Sequence, residues 1–199
     1  MIEIKLFLGL VSYYFVMFVT PGPNNAMLTA SGIKFGFYKT LPHLIGIPFG
    51  HVIQITLVCF GLGTLFQQYP SIQFYLKWIC FFYLIYLGWK ILGSFSKNDR
   101  ESGRPLRFYE AALFQFINPK AWVVASFAAT AFFPREENFL VATAFVAITA
   151  PFVCFPSICL WAIFGSSIKS IIKNTKVKKI IEYLLAILLL VTAVIIVID

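Results

Sequence analysis

Two short proline-containing motifs hold the polar groups best placed for chemistry in an otherwise apolar chain. The first reads Thr20-Pro21-Gly22-Pro23-Asn24-Asn25 and the second reads Asn118-Pro119-Lys120. Proline removes a backbone donor and clashes with the preceding helical turn, so each motif is expected to interrupt a helix. An interrupted helix has bare carbonyls where its first half ends and bare N–H groups where its second half begins.

Such helix ends suit a small zwitterion. N–H groups at the start of the second half-helix, near Pro23, would attract a carboxylate, and carbonyls near Val19 and Thr20 would accept an ammonium. The two asparagines after Pro23 either cap this half-helix or contact the bound molecule. The candidate binding residues are those of both motifs: Pro21, Gly22, Pro23, Asn24, Asn25, Asn118, Pro119 and Lys120.

Lys120 is the most informative single residue. A lysine near mid-membrane is costly unless it is paired, close to water or neutral. Every aspartate and glutamate lies near a predicted span end or in a loop, so the expected partners of Lys120 are helix-end carbonyls or an incoming carboxylate. A purely structural role, tying the two breaks together, is the alternative. The absence of a deep acid also argues against a substrate with a cationic side chain.

His51 and Lys120 are the candidate proton carriers, because no deep carboxylate can take that role. His51 falls in the middle of an apolar segment, with Gln54 close on the same helix. The alternative is an interior histidine that is simply hydrogen-bonded. His43 is expected at the membrane interface.

The four cysteines, Cys59, Cys80, Cys154 and Cys159, all lie in apolar runs. They have no CxxC spacing and no histidine at ligand spacing, so buried reduced thiols are expected, with no metal and no cofactor. A membrane thiol-disulfide electron carrier is the alternative function, although such a carrier needs a reactive cysteine pair near the helix breaks. The rings of charge that channels usually have are not evident in the sequence, which argues against a channel. The sequence also has no hydrolase motif.

The composition requires a membrane environment for these motifs. Of 199 residues, 60% are hydrophobic and only 12% are charged, and the mean hydropathy is +0.85. Soluble domains carry about twice that share of charge. The near-continuous apolar runs predict an all-α polytopic membrane protein and exclude a barrel. Six predicted transmembrane helices cover roughly residues 6–31, 41–66, 71–94, 108–133, 139–165 and 180–198.

The net charge of +8 reflects orientation in the membrane rather than binding to nucleic acid. Twelve of the sixteen lysines and arginines fall after spans one, three and five, which predicts that these loops are cytoplasmic and both termini are outside. The twelve are Lys34, Lys39, Lys90, Lys97, Arg100, Arg104, Arg107, Lys169, Lys173, Lys176, Lys178 and Lys179.

The two breaks fall in spans one and four, which enter the membrane from opposite sides. This arrangement predicts two inverted three-helix repeats, about 1–97 and 98–199, within a single transmembrane domain 1–199. Two unrelated proline kinks are the alternative. Gly46 and Gly50 form a GxxxG pair that packs helices within one protomer or, alternatively, forms the seam of a homodimer.

These motifs resemble those of the lysine exporter (LysE/RhtB) family of bacterial amino-acid exporters. The resemblance is carried by Thr20-Pro21-Gly22-Pro23-Asn24, Gly46 to Gly50, Tyr83 to Lys90 and Asn118-Pro119-Lys120. Phe114 to Asn118, Cys159 to Ala162 and Leu184 to Leu190 are similar to the cysteine and O-acetylserine exporter branch.

The resemblance implies a multi-pass protein of the bacterial inner membrane that exports amino acids by alternating access, driven by the proton gradient. Many members of the family have an aspartate where Asn24 stands. The difference argues against basic substrates and favours small neutral amino acids or their derivatives.

Overall fold

The computed structural model describes residues 2–62, 68–92, 103–171 and 175–198, and the described chain is helical without strands. Three of the basic residues that orient the chain, Lys97, Arg100 and Lys173, lie outside the described residues. The helices, in chain order, are α1 Ile4–Val19, α2 Pro23–Phe35, α3 Phe37–Leu57, α4 Pro70–Ile91, α5 Phe108–Ile117, α6 Pro119–Ala131, α7 Phe139–Ile171 and α8 Thr175–Ile198.

Four helical stretches in the described part of the chain are long and apolar enough to cross a membrane. They are Phe37–Leu62, Phe74–Ile91, Phe139–Ile168 and Lys179–Ile198, the first being α3 with its π-helical extension Val58–Leu62. The bent pair α1 and α2 adds a fifth span if it is counted as one. The protein is therefore an all-helical membrane protein by the length and composition of its described helices.

The predicted fourth span, 108–133, consists of two short helices separated by Asn118. Phe108–Ile117 and Pro119–Ala131 have ten and thirteen residues, and neither alone reaches the roughly 20 residues that a span requires. Six spans therefore remain a prediction that depends on counting this pair as one crossing.

Close glycine contacts bring the helices of the two halves together. A Cβ at Gly46 would lie 2.2 Å from the Phe108 carbonyl oxygen, and one at Gly50 would lie 2.5 Å from the Ala112 carbonyl oxygen. The GxxxG pair therefore packs α3 onto α5 within the protomer. Similarly, a Cβ at Gly165 of α7 would lie 2.3 Å from the carbonyl oxygen of Thr29 in α2. No side chain fits at these crossings, because two backbones are already in contact.

The remaining packing sorts the helices into a broken-helix core and an outer pair. The largest buried cluster of the described residues joins α1, α3, α6 and α7, with single residues of α2 and α5, around Leu10, Tyr14 and Ile158. A second cluster, around Cys80 and Leu189, joins α4 to α8 and packs them against α2 and α5. Outward-facing side chains are largely apolar; Phe152 is 75% exposed, for example. Such an apolar exterior requires lipid to cover it.

Candidate functional site

The first break bends the chain by 55° between α1 and α2. Thr20 is extended, and α2 restarts with Pro23 in its first turn, where the missing proline donor costs nothing. The helix geometry leaves the backbone N–H groups of Asn24 and Asn25 without an intrahelical acceptor. The predicted interruption at this motif is confirmed.

The carbonyls at the end of α1 already have donors from within the protein. Asn25 Nδ2 donates to the carbonyl oxygens of Phe18 at 2.9 Å and Thr20 at 2.7 Å. The indole N–H of Trp161, on α7, donates to the carbonyl oxygen of Val19 at 3.1 Å. The predicted ammonium acceptors near Val19 and Thr20 are therefore engaged, because buried backbone carbonyls must find partners in a water-poor environment.

Lys120 extends across the first break. Its Nζ donates to the carbonyl oxygen of Thr20 at 3.0 Å, to Thr20 Oγ1 at 2.9 Å and to the carbonyl oxygen of Pro21 at 3.2 Å. A Cβ at Gly22 would lie 3.0 Å from Lys120 Cδ, so a residue without a side chain lets the lysine lie over the backbone. Helix-end carbonyls are thus partners of Lys120, as expected from the sequence.

The second break is shorter than the first. Asn118 is extended between α5 and α6, and Pro119 opens α6 in the position that Pro23 has in α2. The indole N–H of Trp122 donates to the carbonyl oxygen of Phe116 at 2.8 Å. No described residue donates a hydrogen bond to the buried side-chain oxygen Oδ1 of Asn118. This break therefore offers one acceptor that the described part of the protein does not use.

A reciprocal amide pair joins the two breaks. Asn24 Nδ2 donates to Gln115 Oε1 at 2.8 Å, and Gln115 Nε2 donates to Asn24 Oδ1 at 3.2 Å. Gln54 Nε2, on α3, donates to the carbonyl oxygen of Gln115 at 3.1 Å. Gln115 was not predicted as a site residue, although a glutamine in an apolar segment three residues before Asn118 is a usable sequence signal. The structure buries this side chain completely.

Neither asparagine of the first break caps α2. The cap position is Gly22, and no side chain bonds to the first turn there. Asn25 serves the end of α1, and Asn24 pairs with Gln115. The capping interpretation is therefore wrong, because the helix begins at Pro23 and both asparagines lie inside its first turn, two and three residues after the cap position.

A small cavity of about 20 Å³ lies between the two breaks. It has room for about one water molecule, which needs roughly 10–15 Å³. The cavity brings together six of the eight predicted binding residues, with the exception of Pro21 and Pro119, and also His51. Its lining residues are Met17, Phe18, Gly22, Pro23, Asn24, Asn25, His51, Asn118, Lys120, Ala121, Val124 and Ile158.

The two histidines are both buried. His51 lines the cavity, its ring lies edge-on to Phe18 with the ring centroids 5.1 Å apart, and its Nδ1 has no hydrogen-bond partner within the described chain. His43 is only 1% exposed, and neither of its nitrogens has a hydrogen-bond partner among the described residues. Its side chain is buried within the bundle, where it lines a second cavity with residues of α2, α4 and α8, and its interfacial depth stays a prediction.

The four cysteines are all reduced thiols and do not line the cavity between the breaks. Cys80 belongs to the cluster of α4 and α8, whereas Cys59, Cys154 and Cys159 belong to the broken-helix core. A thiol-disulfide carrier would need a cysteine pair beside the breaks. Among the described residues, polar amides, a lysine and a histidine occupy that position instead.

Comparison with known proteins identifies the family. Residues 15–199 match the family described as LysE type translocator. The chain is 28% identical, over 156 residues, to the cysteine/O-acetylserine efflux proteins of Escherichia coli (strain K12) and Shigella sonnei (strain Ss046). The match covers 77% of this chain and 79% of each relative. No solved structure matches the chain.

The chain belongs to the LysE/RhtB family of amino-acid exporters, as the motifs predicted, and its curated relatives place it with the cysteine/O-acetylserine branch. It is accordingly a membrane transporter and not an enzyme.

Proposed function

We propose that this protein exports small neutral amino acids or their derivatives, of the cysteine and O-acetylserine kind, from the cytoplasm. The observation that carries this proposal is the polar composition of the cavity between the breaks. A lysine ammonium, the N–H groups that open α2 and the unused oxygen of Asn118 converge there. These groups complement a carboxylate and an ammonium that are separated by one carbon.

The cavity walls favour a neutral side chain on the substrate. Among the described residues that line it, none is acidic, and Met17, Val124 and Ile158 supply apolar surface. A cationic side chain would lose its hydration at this site without gaining a counter-ion, which costs several kcal/mol. A short neutral side chain avoids that loss.

Substrate binding would displace Lys120 from the first break. Its ammonium now occupies the Thr20 and Pro21 oxygens, which are the acceptors that an incoming α-ammonium would use. We propose an exchange in which the substrate ammonium takes these oxygens while Lys120 turns to the substrate carboxylate. The N–H groups of Asn24 and Asn25 would bind the same carboxylate. The number of charges that remain unpaired in the membrane is then unchanged.

The size of the cavity supports transport by alternating access. A space for one water cannot hold an amino acid, so the helices around the breaks must separate to admit one. The Asn24–Gln115 amide pair is a suitable latch, because it joins the two halves of the chain beside the cavity and consists of neutral hydrogen bonds. Each such bond contributes about 1 kcal/mol, which thermal motion can break.

The repeat proposal, with six spans and inverted halves, has support from the helices themselves. Both α2 and α6 have thirteen residues and open with proline, and both α3 and α7 contain two internal prolines. The contacts between helices also match when the two halves are interchanged. Helix α1 packs on α7, and its counterpart α5 packs on α3. Helices α3 and α4 pack against their own counterparts, α7 and α8. In this arrangement α5 and α6 together form the fourth span.

Proton coupling would use His51 or Lys120. Both line the cavity, and His51 has a buried nitrogen without a partner, to which a proton could be added or from which one could be taken. Under the orientation predicted from the basic residues, the site opens alternately to the cytoplasm and to the outside.

The test is counterflow in proteoliposomes that contain the full chain and are preloaded with a single amino acid. Cysteine and O-acetylserine are the expected substrates. Lysine is the comparator, because it has the same α-ammonium and α-carboxylate groups but a cationic side chain. Accelerated exchange of the first two without lysine supports the proposal. Exchange of lysine at an equal rate would contradict the neutral-substrate assignment, and no exchange with any amino acid would contradict the transport assignment.

A further inference from the structure

A second cavity, of about 130 Å³, lies at the end of the bundle that carries most of the basic residues. It is about ten times larger than a single water requires. It opens between α2, α3, α4 and α8 and the chain that precedes α5. Its lining residues are Met27, Ala30, Ser31, Lys34, Phe35, His43, Leu87, Lys90, Ile91, Gly103, Arg104, Pro105, Leu106 and Leu189.

The polar lining of this second cavity is cationic. Lys34, Lys90 and Arg104 all line it, and among the described residues no carboxylate does so. Arg104 binds Glu110, with Nη1 and Nη2 at 2.6 and 2.5 Å from its two carboxylate oxygens, so most of its charge is already compensated. Lys90 is exposed, and its ammonium lies 3.4 Å from the hydroxyl of Tyr86. The cavity thus retains positive charge toward an anion.

The buried imidazole of His43 also indicates that a ligand binds in this cavity. Its side chain is 1% exposed and lines the cavity, and no residue in the described ranges forms a hydrogen bond with either ring nitrogen. A buried polar group without a partner costs about 1–3 kcal/mol, so buried polar side chains in folded proteins are almost always satisfied. An acceptor group bound in the cavity would take the imidazole N–H.

The rest of the lining is apolar. Leu87, Ile91 and Leu189 come from α4 and α8, whose outer surfaces carry large exposed apolar side chains such as Tyr86 and Leu190. A free inorganic anion gains nothing from such walls. A phospholipid has an anionic headgroup and acyl chains together, and both parts then find matching surface.

We propose that this cavity binds the headgroup of an anionic phospholipid, whose phosphate accepts the His43 N–H and lies beside Lys90. The acyl chains would follow the apolar side of α4 and α8. Basic pockets between membrane helices on the cytoplasmic side are suited to such headgroups, and the predicted orientation places this end in the cytoplasmic leaflet. The site is separate from the cavity between the breaks, so it does not depend on the proposed transport substrate.

The test measures lipid binding to the purified full chain in detergent by native mass spectrometry. The probes are phosphatidylglycerol, phosphatidylcholine and inorganic phosphate, each titrated separately. We expect one saturable phosphatidylglycerol site, weaker binding of phosphatidylcholine and no binding of inorganic phosphate at the same concentrations. Equal binding of the two lipids would overturn the headgroup assignment, and saturable binding of inorganic phosphate alone would assign the site to a free anion instead.

Matched variants locate the binding. Lys90→Glu reverses one charge in the cavity and should weaken phosphatidylglycerol binding by about thirtyfold. Lys39→Glu makes the same change at an exposed position of the same end that does not line the cavity, and should leave binding within about threefold. Equal weakening by both would indicate diffuse surface attraction and refute the site.

His43→Phe removes the buried donor while the ring keeps its volume. We expect the affinity for phosphatidylglycerol to fall by about tenfold, as for the loss of one hydrogen bond to a charged group. An unchanged affinity in a variant with an unchanged melting temperature would contradict the role of His43. Both of these results are readable whether or not the protein transports amino acids.

Discussion

Replacing Lys120 with alanine separates a substrate-binding lysine from one that only ties the two breaks together. The variant removes three hydrogen bonds, to the Thr20 carbonyl and hydroxyl oxygens and to the Pro21 carbonyl oxygen. The Thr20 carbonyl keeps its bond from Asn25, and the Val19 carbonyl keeps its bond from Trp161. Only the Pro21 carbonyl therefore loses the one side-chain donor that it has among the described residues.

The expected cost to folding is small for this reason. One unsatisfied carbonyl costs about 1–3 kcal/mol, and removal of a partly buried ammonium offsets part of that cost. A small decrease in melting temperature and normal membrane insertion follow. The cost to transport is larger: loss of one partner of a desolvated charge pair is about 3–5 kcal/mol, which corresponds to at least a hundredfold loss of exchange.

The assay compares counterflow of O-acetylserine in proteoliposomes with thermal unfolding of the same preparation. Lys120→Met, which retains the apolar length of the side chain, is the second variant and should also be inactive. Thr20→Val is the control for the tie, since it removes the hydroxyl acceptor but leaves the Thr20 and Pro21 carbonyl oxygens for the substrate ammonium, and it should reduce transport far less than Lys120→Ala. Full activity of Lys120→Ala would refute the site. If both lysine variants instead lose folded protein in proportion to their loss of transport, the role of Lys120 is structural.

Three further predictions follow from the same structure. In a double-mutant cycle, Asn24→Ala and Gln115→Ala should each lower the free energy of unfolding by about 1–3 kcal/mol. Their coupling energy should be at least about 0.5 kcal/mol, because the two side chains share two hydrogen bonds, and a coupling of zero would exclude the amide latch. Gly46→Ala should destabilise the protein by about 3 kcal/mol or more, since its Cβ would lie 2.2 Å from the Phe108 carbonyl oxygen. The matched variant Gly88→Ala, whose Cβ would lie 3.6 Å from its nearest atom, should be neutral or stabilising in the same melting experiment. A variant with all four cysteines replaced by alanine should retain counterflow, and its inactivity in folded protein would favour the thiol-disulfide carrier.

The pattern of satisfied carbonyls explains why the first break can be stable inside a membrane. Trp161 reaches the end of α1 from α7, and Gln54 reaches the end of α5 from α3. In both cases the helix that supplies the donor belongs to the other predicted half of the chain. If the halves are inverted repeats, these two contacts are counterparts, and they join each broken helix to the half against which it must move.

The sequence by itself determined the membrane environment, the helical class and the position of both breaks. These features are local: composition decides whether water can cover a chain, and a proline disrupts the turn in which it lies. The same local reasoning identified Lys120 as a cation that must find oxygen acceptors, because a charge in a membrane requires a partner wherever the chain folds.

Only the tertiary structure decided which acceptors those are and what surrounds them. Lys120 lies one hundred positions from Thr20 in the chain, and Gln115 lies ninety-one from Asn24. Such pairs depend on how whole helices cross, which Gly46 and Gly165 fix by backbone contact. The buried position of His43 has the same origin, because it depends on how α2, α5 and α7 pack against α3, and no pattern within α3 alone records that packing.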